Sequence, residues 1–199
     1  MRVPVLFALS LISSYLIGSI PFGYIVARIK GVDIRQHGSG NIGATNVWRI
    51  LGPGLGLLVL FLDALKGAVP VIIGRQVGIE GAELLAGMAA LLGHAFPIYL
   101  GFKGGKIIAT GAGVMLALAP LVLLIAFLVF ASVVLVSRYV SLGSVLAAAS
   151  VPVLLTLFQY NWMYILFGGA ICLIAVLKHI PNIKRLIQGT ESKIKFKKG

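Results

Sequence analysis

Carboxylates are scarce in this chain. Five Asp and Glu stand against 17 Lys and Arg in 199 residues, for a formal charge of +12. That excludes a two-metal site, which draws several acidic ligands, and neither a metal nor another cofactor is expected. Cysteine is scarcer still: the single Cys172 permits no intramolecular disulfide. It also falls deep in an apolar stretch without an activating base, so a covalent cysteine intermediate is not expected. No Gly-x-Ser-x-Gly nucleophile elbow occurs. A phosphate-binding NTPase loop is ruled out because Lys106 is followed by Ile107 rather than Ser or Thr. Charge of either sign is sparse, at 11% of residues, where a soluble domain carries about 25%.

The chain is instead 59% hydrophobic, with a mean hydropathy of +1.06. It reads as a single-domain, all-α, polytopic membrane protein over residues 1–199. A span needs about 20 apolar residues, and five stretches qualify: 3–27, 54–73, 83–100, 141–158 and 162–177. The first is too long for a signal-peptide core and no cleavage site follows it, so it is read as a retained helix. Residues 107–136 are too long for one helix and short for two, and Pro120 sits in their middle.

Charge asymmetry decides between the two counts. With six spans the basic tail lies opposite the loops carrying Arg28, Lys30, Arg35, Arg49, Lys103 and Lys106. With seven, broken near Pro120, all of these and the tail fall on one side, which the positive-inside rule makes cytoplasmic. The expectation is seven transmembrane helices, with the N-terminus outside and the C-terminus cytoplasmic. The tail lysines Lys193, Lys195, Lys197 and Lys198 suit anionic lipid headgroups. Nucleic acid is not an expected partner, because no soluble module presents the positive charge.

Three glycine-rich basic stretches interrupt the apolar sequence, and on seven spans all converge on the cytoplasmic face. The first sets Ser39, Asn41, Thr45, Asn46 and Arg49 among Gly38, Gly40 and Gly43. Glycines let successive N–H groups line an anion concavity, and Arg49 can clamp an oxyanion bidentately. The plainer reading is a flexible turn. The second runs from His94 and Pro97 to Lys103, Gly104, Gly105 and Lys106, just ahead of a helix start that would attract phosphate. Two snorkelling interfacial lysines are the alternative, and His94 is equally consistent with a structural role. The third places His179 and Asn182 three residues apart, on one face of a helical turn or as polar groups at a helix end. Asp63 and Lys66 interrupt the second span at i, i+3 and are expected to form an internal ion pair bracing the site. None of His37, His94 and His179 has Asp at the fifth position after it. The His-x-x-x-x-Asp motif of common glycerolipid acyltransferases is therefore missing.

These residues resemble the bacterial acyl-phosphate:glycerol-3-phosphate acyltransferases, the PlsY family. Its three cytoplasmic motifs look like Ser39 through Arg49, Gly93 through Lys106, and His179 through Lys193, and the matches at Gly18 to Gly23 and Asp63 to Gly67 extend the likeness over nearly the whole chain. The resemblance implies a multi-pass protein of the bacterial inner membrane with a cytoplasm-facing site. It implies transfer of an acyl group from acyl phosphate to the 1-hydroxyl of glycerol 3-phosphate, giving lysophosphatidic acid and phosphate, with a soluble enzyme supplying the acyl phosphate. A mixed anhydride carries its own leaving group, so direct attack without an acyl-enzyme is implied. His179, Asn182 and Lys106 are then the expected catalytic residues. Ser39, Gly40, Asn41, Thr45, Asn46, Arg49, His94, Lys103, Gly104 and Gly105 are expected to bind substrate. The base is His179 or a substrate phosphate oxygen. A membrane transporter for an organic phosphate, using the same cations, is the alternative. One departure stands out: Ile107 occupies a place where the family pattern has glycine. Its Cβ is expected to crowd the anion nest, so that Ile107→Gly would raise activity.

Overall fold

The computed structural model describes residues 2–194; the tail positions Lys195, Lys197 and Lys198 lie outside them. Nine α-helices are found among the described residues. They are α1 (Arg2–Ser19), α2 (Phe22–Ile29), α3 (Ala44–Leu51), α4 (Pro53–Arg75), α5 (Ala82–Ala95), α6 (Ile108–Leu118), α7 (Pro120–Ser137), α8 (Val140–Leu157) and α9 (Trp162–Ile187). Among the described residues six segments are long and apolar enough to cross a membrane: Val3–Ile29, Pro53–Arg75, Ala82–Leu100, Pro120–Ser137, Val140–Leu157 and Trp162–Ile187. α6 is apolar but has only 11 residues, about 16 Å at the helical rise.

Proline sets several boundaries. The first apolar stretch is not one helix: α1 ends at Ser19, and Pro21, which has no N–H to donate, precedes α2. This break leaves the Ile20 carbonyl outside helical pairing. The stretch 107–136 likewise divides at Ala119–Pro120, where Ala119 leaves the helical conformation and Pro120 opens α7, as the sequence led us to expect. Pro53 occupies the first turn of α4, where a missing N–H costs nothing. Pro181, by contrast, lies inside α9, which runs on to Ile187.

The chain forms two compact units divided between Ala119 and Pro120. In the first, α4 packs on α1, α3, α5 and α6, and α1 also packs on α5. The backbones approach so closely that a Cβ on Gly18 would strike the Ala90 carbonyl, one on Gly67 the Thr110 carbonyl, and one on Gly113 the Ala64 carbonyl. Small residues at helix crossings give this kind of packing in membranes. A separate apolar cluster of Ala27, Ile34, Ile42, Val47 and Val59 anchors the segment between α2 and α4. In the second unit, α8 packs against both α7 and α9.

Candidate active site

The first basic stretch is half loop and half helix. Gly38 and Gly40 adopt left-handed φ values of 61° and 69°. The chain then enters α3, whose Asn46 and Val47 face inward while Thr45, Trp48 and Arg49 face out. Thr45 and Arg49 are one helical turn apart, so they share a surface. Asn46 does not face the surface with them. It is 2% exposed, its Oδ1 accepts from Ser39 N–H at 3.0 Å, and its Nδ2 donates to the carbonyls of Ile34, His37 and Asn41. Asn41 Oδ1 in turn accepts from Gly43 N–H at 2.8 Å. Asn46 and Asn41 therefore build the loop, which presents Ser39, Gly40, Thr45 and Arg49 at its exposed surface.

Beside this loop, Asp33 gathers two of the basic residues. It pairs with Arg28 at 3.0 Å and Arg35 at 2.7 Å, and both guanidinium groups lie over the Tyr24 ring. The Arg35 hydrogen bonds hold the Asp33 carboxyl down to about 2, against an opposing push from partial desolvation.

The second stretch is a turn closed onto the end of α5. Phe102 N–H donates to the Pro97 carbonyl at 2.9 Å and Gly105 N–H to the His94 carbonyl at 3.0 Å. Lys103 is exposed, Lys106 half-buried and Gly105 buried. Ile107 corrects the expectation of crowding. It is not helical but caps α6 in the left-handed conformation, at φ 61° and ψ −6°, with its side chain 1% exposed. The branched residue already holds the glycine-like backbone and turns its bulk into the core.

Beneath this turn lies a buried polar cluster. Lys66 Nζ donates to the Ile20 carbonyl at 2.6 Å and pairs with Asp63 Oδ1 at 2.7 Å. Asp63 Oδ1 is 3.9 Å from His94 Nδ1, and Thr110 Oγ1 is 3.0 Å from the same nitrogen. Asp63, Lys66, His94 and Thr110 are all at most 5% exposed. A Cβ on Gly105 would collide with His94 Nε2, so the turn closes over the ring. His94, expected either to bind substrate or to serve the structure, is enclosed. The cluster is not a nucleophile–histidine–carboxylate relay. Thr110 and Asp63 approach the same ring nitrogen, whereas a relay needs one on each, and Thr110 is fully buried.

The third stretch lies in the second unit, on α9. His179 and Asn182 share an inward face, at 3% and 5% exposure. His179 Nδ1 lies 2.7 Å from the Ala175 carbonyl. A carbonyl only accepts, so Nδ1 carries a proton, and in the neutral form of the ring the lone pair sits on Nε2. Asn182 Nδ2 donates to Glu191 Oε1 at 2.7 Å. The same carboxylate accepts from Ser141 at 2.7 Å and pairs with Arg185 at 2.7 Å. Desolvation pushes the Glu191 carboxyl up, but the bonds from Asn182, Ser141 and Arg185 outweigh it and hold the group below its usual range.

Each stretch thus gathers its own residues, the first two in one unit and the third in the other. Sequence reasoning overlooked Glu191, Thr110 and the Ile20 carbonyl. Glu191 alone had a usable signal, as one of five carboxylates in a strongly basic chain. Among the described residues no group of three or more His, Cys, Asp or Glu side chains could hold a metal ion.

Known proteins match this chain closely. The family model described as glycerol-3-phosphate acyltransferase matches residues 8–189. A glycerol-3-phosphate acyltransferase of Desulforudis audaxviator is 54% identical over 93% of this chain and 94% of its own length. One from Desulforamulus reducens is 54% identical over 94% of this chain and 95% of its own. The crystal structure of PlsY, an integral membrane glycerol 3-phosphate acyltransferase, in its glycerol 3-phosphate form superposes with a TM-score of 0.92. It is 42% identical, over 95% of this chain and 96% of that one. The lysophosphatidic acid form superposes with a TM-score of 0.89, at 42% identity over 95% of each chain.

Proposed function

This chain belongs to the glycerol-3-phosphate acyltransferase family, and from that premise we propose that it transfers a fatty acyl group from acyl phosphate to the 1-hydroxyl of glycerol 3-phosphate. The observation that carries the reading is the likeness, at a TM-score of 0.92, to a PlsY structure in its glycerol 3-phosphate form. In the reaction the hydroxyl oxygen bonds to the acyl carbon, and the carbon–oxygen bond to phosphate breaks. The products are lysophosphatidic acid and inorganic phosphate.

The residues suit a reaction in which the protein grips and orients more than it bonds. Ser39, Thr45 and Arg49 present hydroxyl and guanidinium donors for a phosphate, while the Ser39 and Gly40 N–H groups serve Asn46 Oδ1 and the His37 carbonyl and hold the loop in shape. Lys103 and Lys106 bring cations on a turn leading into α6, where developing negative charge is stabilised. Thr110 is sealed and Cys172 lies on an apolar helix, so the substrate hydroxyl attacks directly. His179, with its lone pair on Nε2, and a phosphate oxygen of the acceptor are the two acceptors for the hydroxyl proton. His179→Gln separates them through the loss or retention of the acidic limb in the pH–rate profile. Asn182 is held by Glu191 in a fixed orientation suited to a substrate oxygen.

The two units act as one acyltransferase domain in a bacterial inner membrane, among its lipids. α6 counts as a seventh membrane segment, the N-terminus lies outside, and the site faces the cytoplasm, where a soluble enzyme supplies acyl phosphate. The test is release of phosphate by the purified protein. Release that requires both acyl phosphate and glycerol 3-phosphate, with lysophosphatidic acid formed in equal amount, supports the assignment. Turnover with an acyl thioester in place of acyl phosphate would overturn the donor. Glycerol 3-phosphate flux across vesicles without chemistry would overturn the enzyme.

A further inference from the structure

The cluster of Asp63, Lys66, His94 and Thr110 touches no surface and has no step to perform in the reaction above. It is nonetheless costly, since ionisable groups within a membrane span are expensive to bury. It also joins four pieces of chain: the Ile20 carbonyl at the α1–α2 break, Asp63 and Lys66 on α4, His94 on α5, and Thr110 on α6. The turn carrying Lys103 and Lys106 rests on one member of it. His94 accepts Gly105 N–H through its carbonyl, and its ring fills the space where Gly105 has no side chain.

We propose that Asp63, His94 and Thr110 are positioning residues for phosphate binding: the buried pair orients the His94 ring, and the ring sets the Gly104–Gly105 turn that aims Lys103 and Lys106. The chain of cause is physical at each link. Lys66 is held between a carbonyl and Asp63, which fixes the carboxylate. The carboxylate at 3.9 Å draws the imidazole proton to Nδ1, where Thr110 Oγ1 also lies. Thr110 holds the ring at Nδ1 and the Gly105 backbone abuts it at Nε2, so the turn stacked on the ring keeps one conformation. A phosphate grip displaced by about 1 Å loses most of its advantage. The inference rests on the acyltransferase reading for its substrates.

The test separates positioning from stability. Lys66→Met alone strands a buried carboxylate and should unfold or weaken the protein. The double variant Asp63→Asn with Lys66→Met removes both charges together and should recover thermal stability. If the pair only stabilises the fold, the double variant also recovers wild-type kinetics, and the inference fails. If the pair orients His94, KM for at least one of the two phosphate substrates stays raised by about tenfold while kcat falls less. Thr110→Val, nearly isosteric, gives an independent measurement should the double variant not fold. It should raise the same KM at least fivefold, and Thr110→Ser should restore it. A KM within twofold of wild type for both substrates in Thr110→Val overturns the proposal. Calorimetric titration of glycerol 3-phosphate onto the same variants reports the grip without turnover. Wild-type protein that fails to form lysophosphatidic acid would sink the acyltransferase reading instead, so the two failures are distinct.

Discussion

On the proposed function Arg49 and Lys106 supply the charge that a doubly anionic substrate needs; one lies on the outer face of α3 and one on the turn before α6. Removing either should cost a charge-assisted contact of about 1.5–3 kcal/mol, or roughly 10- to 100-fold in kcat/KM. Arg49→Ala and Lys106→Ala should leave the protein folded, and near-normal turnover in either would remove that residue from the site. Asn46→Ala should behave differently, because its amide serves the loop: both melting temperature and activity should fall. Ile107→Gly sets two effects against each other. Relief of a left-handed residue returns about 1–2 kcal/mol, while emptying a buried isoleucine site costs about 2–5 kcal/mol. A lower melting temperature with unchanged or reduced activity is expected, and a rise in activity would restore the crowding argument. The polar residue types of the site were legible in the sequence, but their division of labour was not. Ser39, Asn41 and Asn46 carry similar chemistry, and only the direction in which α3 turns assigns Asn46 to the interior.

Among elements, the segment after α9 acts as a clasp on the second unit. Glu191 ties Ser141 at the start of α8 to Asn182 and Arg185 on α9, and Ile194 N–H donates to the Arg138 carbonyl at the α7–α8 corner. The folded Glu191 carboxyl titrates below its ordinary 4.5. Its stabilising contribution is therefore fully present above that value and is lost as pH falls through the folded pKa. Glu191→Gln should melt about 2–4 °C lower at neutral pH, as a contribution of roughly 1 kcal/mol implies. The gap to wild type should close on acidification below the ordinary range. A gap constant with pH would mean that shape rather than charge holds the clasp. Apolar runs and prolines made most helix boundaries readable. α3 was hidden because a glycine-rich loop runs straight into it, and the α1–α2 break because Pro21 lies inside a continuous apolar run.

For the whole molecule, the direction of insertion is the open quantity. Charge asymmetry is the ground for proposing the N-terminus outside and the C-terminus in the cytoplasm. Reporters active on only one side of the membrane, fused to each end, should report opposite sides; agreement between them would sink the odd number of crossings. Cys172→Ser should leave transfer intact, and radiolabelled acyl chain trapped on Cys172 would overturn direct attack. The all-helical membrane class followed from composition alone. The helix crossings of the first unit did not, because they rest on contacts between positions far apart in sequence. Those crossings also have a genetic reading. Gly18, Gly67, Gly93 and Gly113 each lie against backbone of a neighbouring helix, where any Cβ collides. Every missense change from a glycine codon adds a Cβ, so no conservative codon neighbour exists there. In a saturation library under selection for growth, these four sites should read as islands where only synonymous alleles survive, inside helices whose lipid-facing positions drift freely among apolar codons.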